Sequence, residues 1–345
     1  MVIGLVNAVA HRQVLRAGSA VERGAPVRIT NVPTTYTATY RVENRAGGKL
    51  TVTTEKYWVR RPFDSRIETW RGKTRLSIRW STFAQFASQS NAAQPLHIAV
   101  PPGLASGDLR IDAALPDALR DKLVVRRERR RVYGRSCQVY RAGGPVSAGD
   151  LTPYKSGSGD FADVCIDGHG IVLEEAWTSN NKLIRRRAAE KLAVGVPIDD
   201  ATFEIPIPAS DASMQGSVKR VSSPGAIWRL RSVPSGFTNL GTFAVTIPSI
   251  ALPQSQGPVS STSEIFVRGP DLLIVDQDPS LLQYISADDR PARPTSIPPL
   301  RSGQVVFDAR MSEARGGTPD GSAVRLVGTL SPSELIRLAG SIVKA

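Results

Sequence analysis

The chain has 345 residues, 41% hydrophobic and 22% charged, which excludes a disordered polymer and leaves room for two domains with real cores. Its net charge of +13 is uneven, residues 1–217 holding 31 Lys and Arg against 21 Asp and Glu. A basic surface of this kind fits an anionic membrane face, an acidic polymer or nucleic acid. No run reaches the ~18 apolar residues that a bilayer span needs.

The N-terminal run MVIGLVNAVAHRQVLRAG lacks a basic leader and a clear cleavage site, so it is not a complete signal peptide. It reads as an amphipathic first helix through Ile3, Val6, Val9, Ala10 and Val14. The rival origin is the tail of an export or anchor segment beginning upstream.

Residues 35–80 predict consecutive antiparallel strands. Tyr36, Ala38, Tyr40 and Val42 alternate with polar neighbours, and residues 44–48 supply turn chemistry. LTVTTEKYWVRRP is rich in strand-forming residues and stops at Pro62. SRIETW and the alternation of Leu76, Ile78 and Trp80 with Arg75, Ser77 and Arg79 complete a meander with one apolar face. Residues 83–109 read as irregular, punctuated by Pro95, Pro101 and Pro102. Residues 111–125 predict a helix, since Leu115, Leu119 and Leu123 recur every four positions and Pro116 sits near its start.

The basic run Arg126, Arg127, Arg129, Arg130 and Arg131 follows, interrupted by Glu128. It reads as a solvated basic surface before it reads as a phosphate site. No interleaved aromatics and no nucleic-acid motif accompany it, which disfavours nucleic acid as a partner.

Cys137 and Cys165 are the only cysteines, and each lies within a strand-like run. Between Ile166 and Ile171, an Asp167-Gly168 pair supplies a hairpin turn. The strand context favours a Cys137–Cys165 disulfide over two unrelated buried thiols. Such a bridge belongs outside the reducing cytoplasm. Residues 177–190 continue the meander, with a turn at Asn180-Asn181, and DDATFEIPIP closes a first unit at 208. Residues 209–223 have linker composition. The remainder, 224–345, predicts short strands and a final helix, capped by Ser331, Pro332 and Glu334 and apolar through Leu335, Leu338, Ile342 and Val343.

YTATYRVEN, KYWVRRPFDSRIETWRG, VYGRSCQVYR, VCIDGHGIVLEEAW and IDDATFEIP, in this order, resemble the lipoprotein-carrier fold of LolA/LolB and of the RseB/MucB-like regulators of sigma-E. The tail from RLRSVPSGFTNLG onward is similar to the smaller C-terminal domain of those regulators. The resemblance implies an α+β fold. A curved antiparallel β-sheet, a half-barrel, would be covered by helices and followed by a small C-terminal α+β domain. It also implies an extracytoplasmic, periplasmic or envelope, location and a lipid or acyl chain as ligand. The alternative partner is an anti-sigma factor or other membrane protein, with an anionic membrane surface nearby.

Catalytic chemistry is not foreseen. His11, His97 and His169 show no metal-ligand spacing, and Glu174 and Glu175 project to opposite faces of a strand. No nucleotide loop or nucleophile elbow occurs, so no metal, cofactor or catalytic residue is called for. The candidate ligand-pocket residues are Tyr40, Trp58, Trp70, Leu76, Ile78, Trp80 and Trp177. The plainer alternative is that they fill an ordinary core.

Overall fold

A computed structural model describes residues 19–22, 24–91, 93–103, 106–144, 154–206, 215–222, 227–247, 259–278 and 292–345. The expected N-terminal helix and residues 209–214 and 223 of the expected linker lie outside that set.

Two meanders build the first sheet. β1 (Ser19–Glu22) stands outside both, at the sheet edge; one comprises β2 (Thr35–Ala46), β3 (Lys49–Arg60), β4 (Asp64–Arg71), β5 (Thr74–Ser81), β6 (Gln85–Ser90) and β7 (Ala93–Ala99). After helix α1 (Ile111–Arg120) the other runs β8 (Val124–Val132), β9 (Arg135–Gly143), β10 (Phe161–Asp167), β11 (Val172–Ser179) and β12 (Lys182–Val194). The strand order β1-β8-β9-β10-β11-β12-β2-β3-β4-β5-β6-β7 makes a single open, curved antiparallel sheet. It is sewn together where β12 pairs with β2, Ala189 opposite Tyr40 and Arg187 opposite Val42.

Local chemistry explains the turns. Asn180 and Asn181 adopt φ of 49° and 60°, the positive angles that a two-residue hairpin requires. At the β10–β11 hairpin the positive angle falls on Gly170 rather than on Gly168. There the Asp167 carboxylate accepts the His169 and Ile171 amides at 2.9 and 3.0 Å.

The second sheet uses β13 (Ser217–Val221), β15 (Thr238–Ile247), β16 (Val259–Arg268), β17 (Asp271–Asp278), β18 (Ala292–Pro294), β19 (Arg301–Val306), β20 (Ser312–Gly317) and β21 (Ala323–Gly328). Their order is β13-β15-β16-β17-β21-β20-β19-β18. Helix α2 (Pro332–Ala339) packs on it, and β14 (Trp228–Leu230) pairs with β22 (Ile342–Lys344). The cap is as foreseen, the Ser331 hydroxyl accepting the Glu334 amide at 3.2 Å.

Four expectations need correction. Residues 83–109 contain β6 and β7, whose Ala, Ser and Gln content hides them from propensity. Helix α1 stops at Arg120, where Lys122 takes φ of 58°, and Val124 and Val125 begin a strand. The last helix ends at Ala339, so Ile342 and Val343 are strand residues. Ser217–Val221 is β13 rather than linker.

The two sheets share a core. One buried cluster runs from Ile111, Ala114 and Ala118 of α1 into Tyr140 and Val164 of the first sheet, and on to Phe266, Leu326 and Leu335 of the second unit. Polar contacts reinforce this junction. The Arg110 side chain donates to the Pro270 carbonyl at 2.7 Å and to Asp271 at 3.0 Å. Asp117 accepts from the Ser333 amide and hydroxyl at 2.6 and 3.0 Å, at the N-terminus of α2, where a carboxylate is favoured.

Candidate functional site

Before β2 enters the sheet, residues 24–34 cross the molecule as an irregular strap. Its backbone finds partners outside itself, as a non-repetitive segment must. Thr30 donates its amide to the Gly168 carbonyl at 2.8 Å. The Ala25 carbonyl accepts from Arg129 at 2.9 Å, and the Pro33 carbonyl from Arg61 at 3.2 Å. The β10–β11 hairpin holds one part of the strap and β8 another.

The strap stands off α1. Between them lies a cleft of about 700 Å³, lined by Val27 and Ile29 of the strap, Leu115 and Leu119 of α1, and Tyr140 of β9. That volume falls within the range of ~300–1,000 Å³ typical of small-molecule sites. The four-residue spacing of Leu115 and Leu119 sets both on one side of α1. Pro26 and Pro116 also border the space, and neither offers an amide that a ligand must satisfy.

Charge at the cleft is one-sided. Arg28 and Arg126 line it and are exposed, and neither forms an ion pair among the described residues. Asp112, the one carboxylate there, is 3.1 Å from the Arg110 guanidinium. A register shift between Arg126 and Arg129 on β8 leaves Arg126 opposite Tyr140. Burial pushes the Tyr140 hydroxyl above its usual range, against the pull of Arg126. The arrangement therefore offers a greasy floor with two cations beside it.

The seven expected pocket residues do not line one pocket. Strand register sets Tyr40 and Trp177 on one face of the first sheet and Trp58, Trp70, Ile78 and Trp80 on the other. Ile78 and Trp80 are buried with Ala87 beneath Ile205. Trp70 donates its indole N–H to Glu68 at 2.9 Å and carries Lys56 over its ring. Arg66 lies over Trp58, and Leu76 is half-buried in β5. Trp177 carries Arg185 over its ring and packs against the shared core. Tyr40 is buried and donates across β12 to the Val172 carbonyl at 2.9 Å.

Around Tyr40 the sheet buries a charged hub. Arg187 lies 3.0 Å from Glu175 and donates to the Tyr57 hydroxyl at 2.7 Å, which in turn donates to Glu55 at 3.1 Å. Its guanidinium also covers the Tyr40 ring at 4.3 Å. Burial holds the Tyr57 hydroxyl at about 12 and pushes that of Tyr40 higher still. For Arg187 burial works against the charge, yet Glu175 keeps it firmly protonated.

The cysteines meet as expected. Cys137 and Cys165 form a disulfide between β9 and β10, with a Cα–Cα distance of 5.4 Å. The arginine run is a partial surprise. Arg126 and Arg127 are exposed, but Arg130 is buried between Glu128 and Glu174, at 2.5 and 3.7 Å. Arg129 and Arg131 both engage Glu22, at 3.3 and 2.7 Å. Arg130 thus does not belong to a basic surface, because the sheet register turns its side chain toward a buried carboxylate. Among the described residues no group of three or more His, Cys, Asp or Glu side chains is arranged to hold a metal ion.

No protein-family model matches the chain, and no curated protein does. Among solved structures it is similar to the MucA/MucB complex of Pseudomonas aeruginosa, at 17% identity and a TM-score of 0.36, over 90% of this chain and 93% of that one. A second structure, MucB in complex with periplasmic MucA, gives 19% identity and a TM-score of 0.31 over the same shares. A DUF1329 family protein from Desulfovibrio piger gives 12% identity and 0.25, over 59% of this chain and 96% of that one. The chain is thus similar to the RseB/MucB-like proteins that its sequence resembles, at scores that assign it neither ligand nor partner.

Proposed function

We propose that the protein is a non-catalytic, extracytoplasmic binding protein that takes an apolar chain with an anionic head into the cleft between strap and α1. The observation that carries this reading is the cleft of about 700 Å³, apolar in lining and flanked by Arg28 and Arg126, which form no ion pair among the described residues. An acyl chain satisfies such a lining by losing water-exposed apolar surface. A carboxylate or phosphate head gains charge-assisted hydrogen bonds from the arginines. The disulfide supports an oxidising compartment. The described helices include none long and apolar enough to cross a membrane.

A fluorescent fatty acid titrated into the full chain tests the reading. Leu119→Trp, which fills the cleft, is expected to abolish binding, and Arg126→Gln to weaken it roughly tenfold. Equal binding by wild type and Leu119→Trp overturns it. The second reading is a regulatory module whose cleft receives an apolar, acid-flanked segment of an anti-sigma factor or other membrane protein. The same one-sided charge supports it. Displacement of the fatty acid by such a peptide, with no lipid co-purifying in native mass spectrometry, would favour it.

A further inference from the structure

In an antiparallel meander, successive turns alternate between the two ends of the sheet. At one end, the β3–β4 and β5–β6 turns carry Phe63 and Phe83, which pack through Phe83 onto Phe243 of the second sheet. The other end gathers the β9–β10, β11–β12, β2–β3 and β4–β5 connections. In these connections or on the strand ends that flank them lie Lys155, Lys182, Arg45 and Lys49, and Arg71 and Lys73, all exposed. None of the six forms an ion pair among the described residues. The one described carboxylate on these turns, Asp160, already accepts the Asn180 amide at 2.9 Å. Two exposed aliphatic side chains accompany them, Leu50 at 46% and Ile184 at 40%.

From this geometry we propose that this sheet end is a docking edge for an anionic lipid bilayer. The turns are spread over eight adjacent strands from β9 to β5, about 34 Å along the curved edge at ~4.8 Å per strand. That is a broad row of cations on short protruding tips. It suits a charged plane more closely than it suits a groove-seeking peptide. Among the described residues of these turns the one aromatic side chain is Tyr154, set edge-on to Phe161 rather than offered as a platform on which nucleic-acid bases would stack. Leu50 and Ile184 sit where they can enter the headgroup layer while the cations stay at its surface. The arginine run of β8 cannot serve in this way, because Arg129, Arg130 and Arg131 are already paired within the protein. The docking edge does not depend on the cleft being a lipid site.

Co-sedimentation of the full chain with vesicles tests it, using phosphatidylcholine alone or with about one-third phosphatidylglycerol. Binding is expected only to the anionic vesicles and falls with added salt. The variant Arg45→Gln/Lys49→Gln/Arg71→Gln/Lys73→Gln should lose at least about 100-fold, since each cation near such a surface contributes roughly fivefold. A matched variant, Lys219→Gln/Arg231→Gln/Arg301→Gln/Arg337→Gln, removes the same charge from exposed positions of the second unit and should lose far less. Leu50→Ser/Ile184→Ser should cost roughly tenfold, and more of it should survive at high salt. Equal losses from the two charge variants would overturn the proposal, as would failure of the wild type to bind anionic vesicles. Tighter binding to polyglutamate or to single-stranded DNA than to the vesicles would overturn it too. All substituted side chains are exposed, so unchanged melting curves are expected throughout.

Discussion

Below residues 106–110 the first sheet is closed by its own side chains, whereas between the strap and α1 it is left open. In the closed half, Tyr36 donates to Asp108 at 2.7 Å and Arg61 to the same carboxylate at 2.6 Å. Arg187, Tyr57 and Glu175 fill the space beyond. In the open half, Val27, Ile29, Leu115 and Leu119 line a gap of about 700 Å³. Both halves contain arginine. Where it is buried, each guanidinium has a carboxylate; where it borders the gap, Arg28 and Arg126 have none among the described residues. A buried unpaired charge costs several kcal/mol, so arginine left single at a partly open site is affordable only because water, or a ligand's anion, can reach it.

The comparison breaks most directly at Arg187. Arg187→Ala strands Glu175 in the closed half, while Glu55 keeps Arg185 at 3.3 Å, and should cost about 3–5 kcal/mol in urea unfolding; a loss below about 1 kcal/mol would mean that the hub is solvated. Removing the disulfide by Cys137→Ser/Cys165→Ser reopens a loop of 28 residues and should cost about 3–4 kcal/mol, read as a lower melting temperature matched by reduced wild type. Alkali separates the halves next. Burial holds the Tyr57 hydroxyl at about 12 against an ordinary value of 10. Its contribution is therefore complete below pH 10 and is lost as pH rises toward 12, an effect on the order of 2 kcal/mol. The gap between unfolding midpoints at the two pH values should narrow in Tyr57→Phe, the buried hydroxyls of Tyr40 and Tyr36 supplying what remains. Asp117→Ala leaves the Ser331 cap but removes the acceptor of the Ser333 amide and hydroxyl at the junction, and should cost about 1 kcal/mol. Leu119→Trp fills open space and should change stability by less than about 1 kcal/mol while blocking the cleft; a larger loss would show that the gap closes in solution.

Much of this architecture was legible along the chain. Alternation at Tyr36, Ala38, Tyr40 and Val42 located β2, and Leu115 and Leu119 located α1. The site was harder to see. Both leucines read as core because helical spacing cannot reveal what stands opposite. The strap PVRI carries no periodicity and so gave no signal. The seven residues expected to line a pocket do not share one face because strand alternation names two faces, and only pairing register says which residues of different strands share one.

The sequence alone determined where the strands alternate, where α2 begins at Ser331, and which two cysteines were available to bond, because these depend on neighbours a few residues apart. Only the tertiary structure decided that Arg130 is buried while Arg126 is exposed, that Arg45, Arg71 and Lys182 gather at one sheet end, and that α1 stands apart from the strap. Each of those outcomes is set by contacts between residues tens to over a hundred positions apart, which composition and periodicity do not encode.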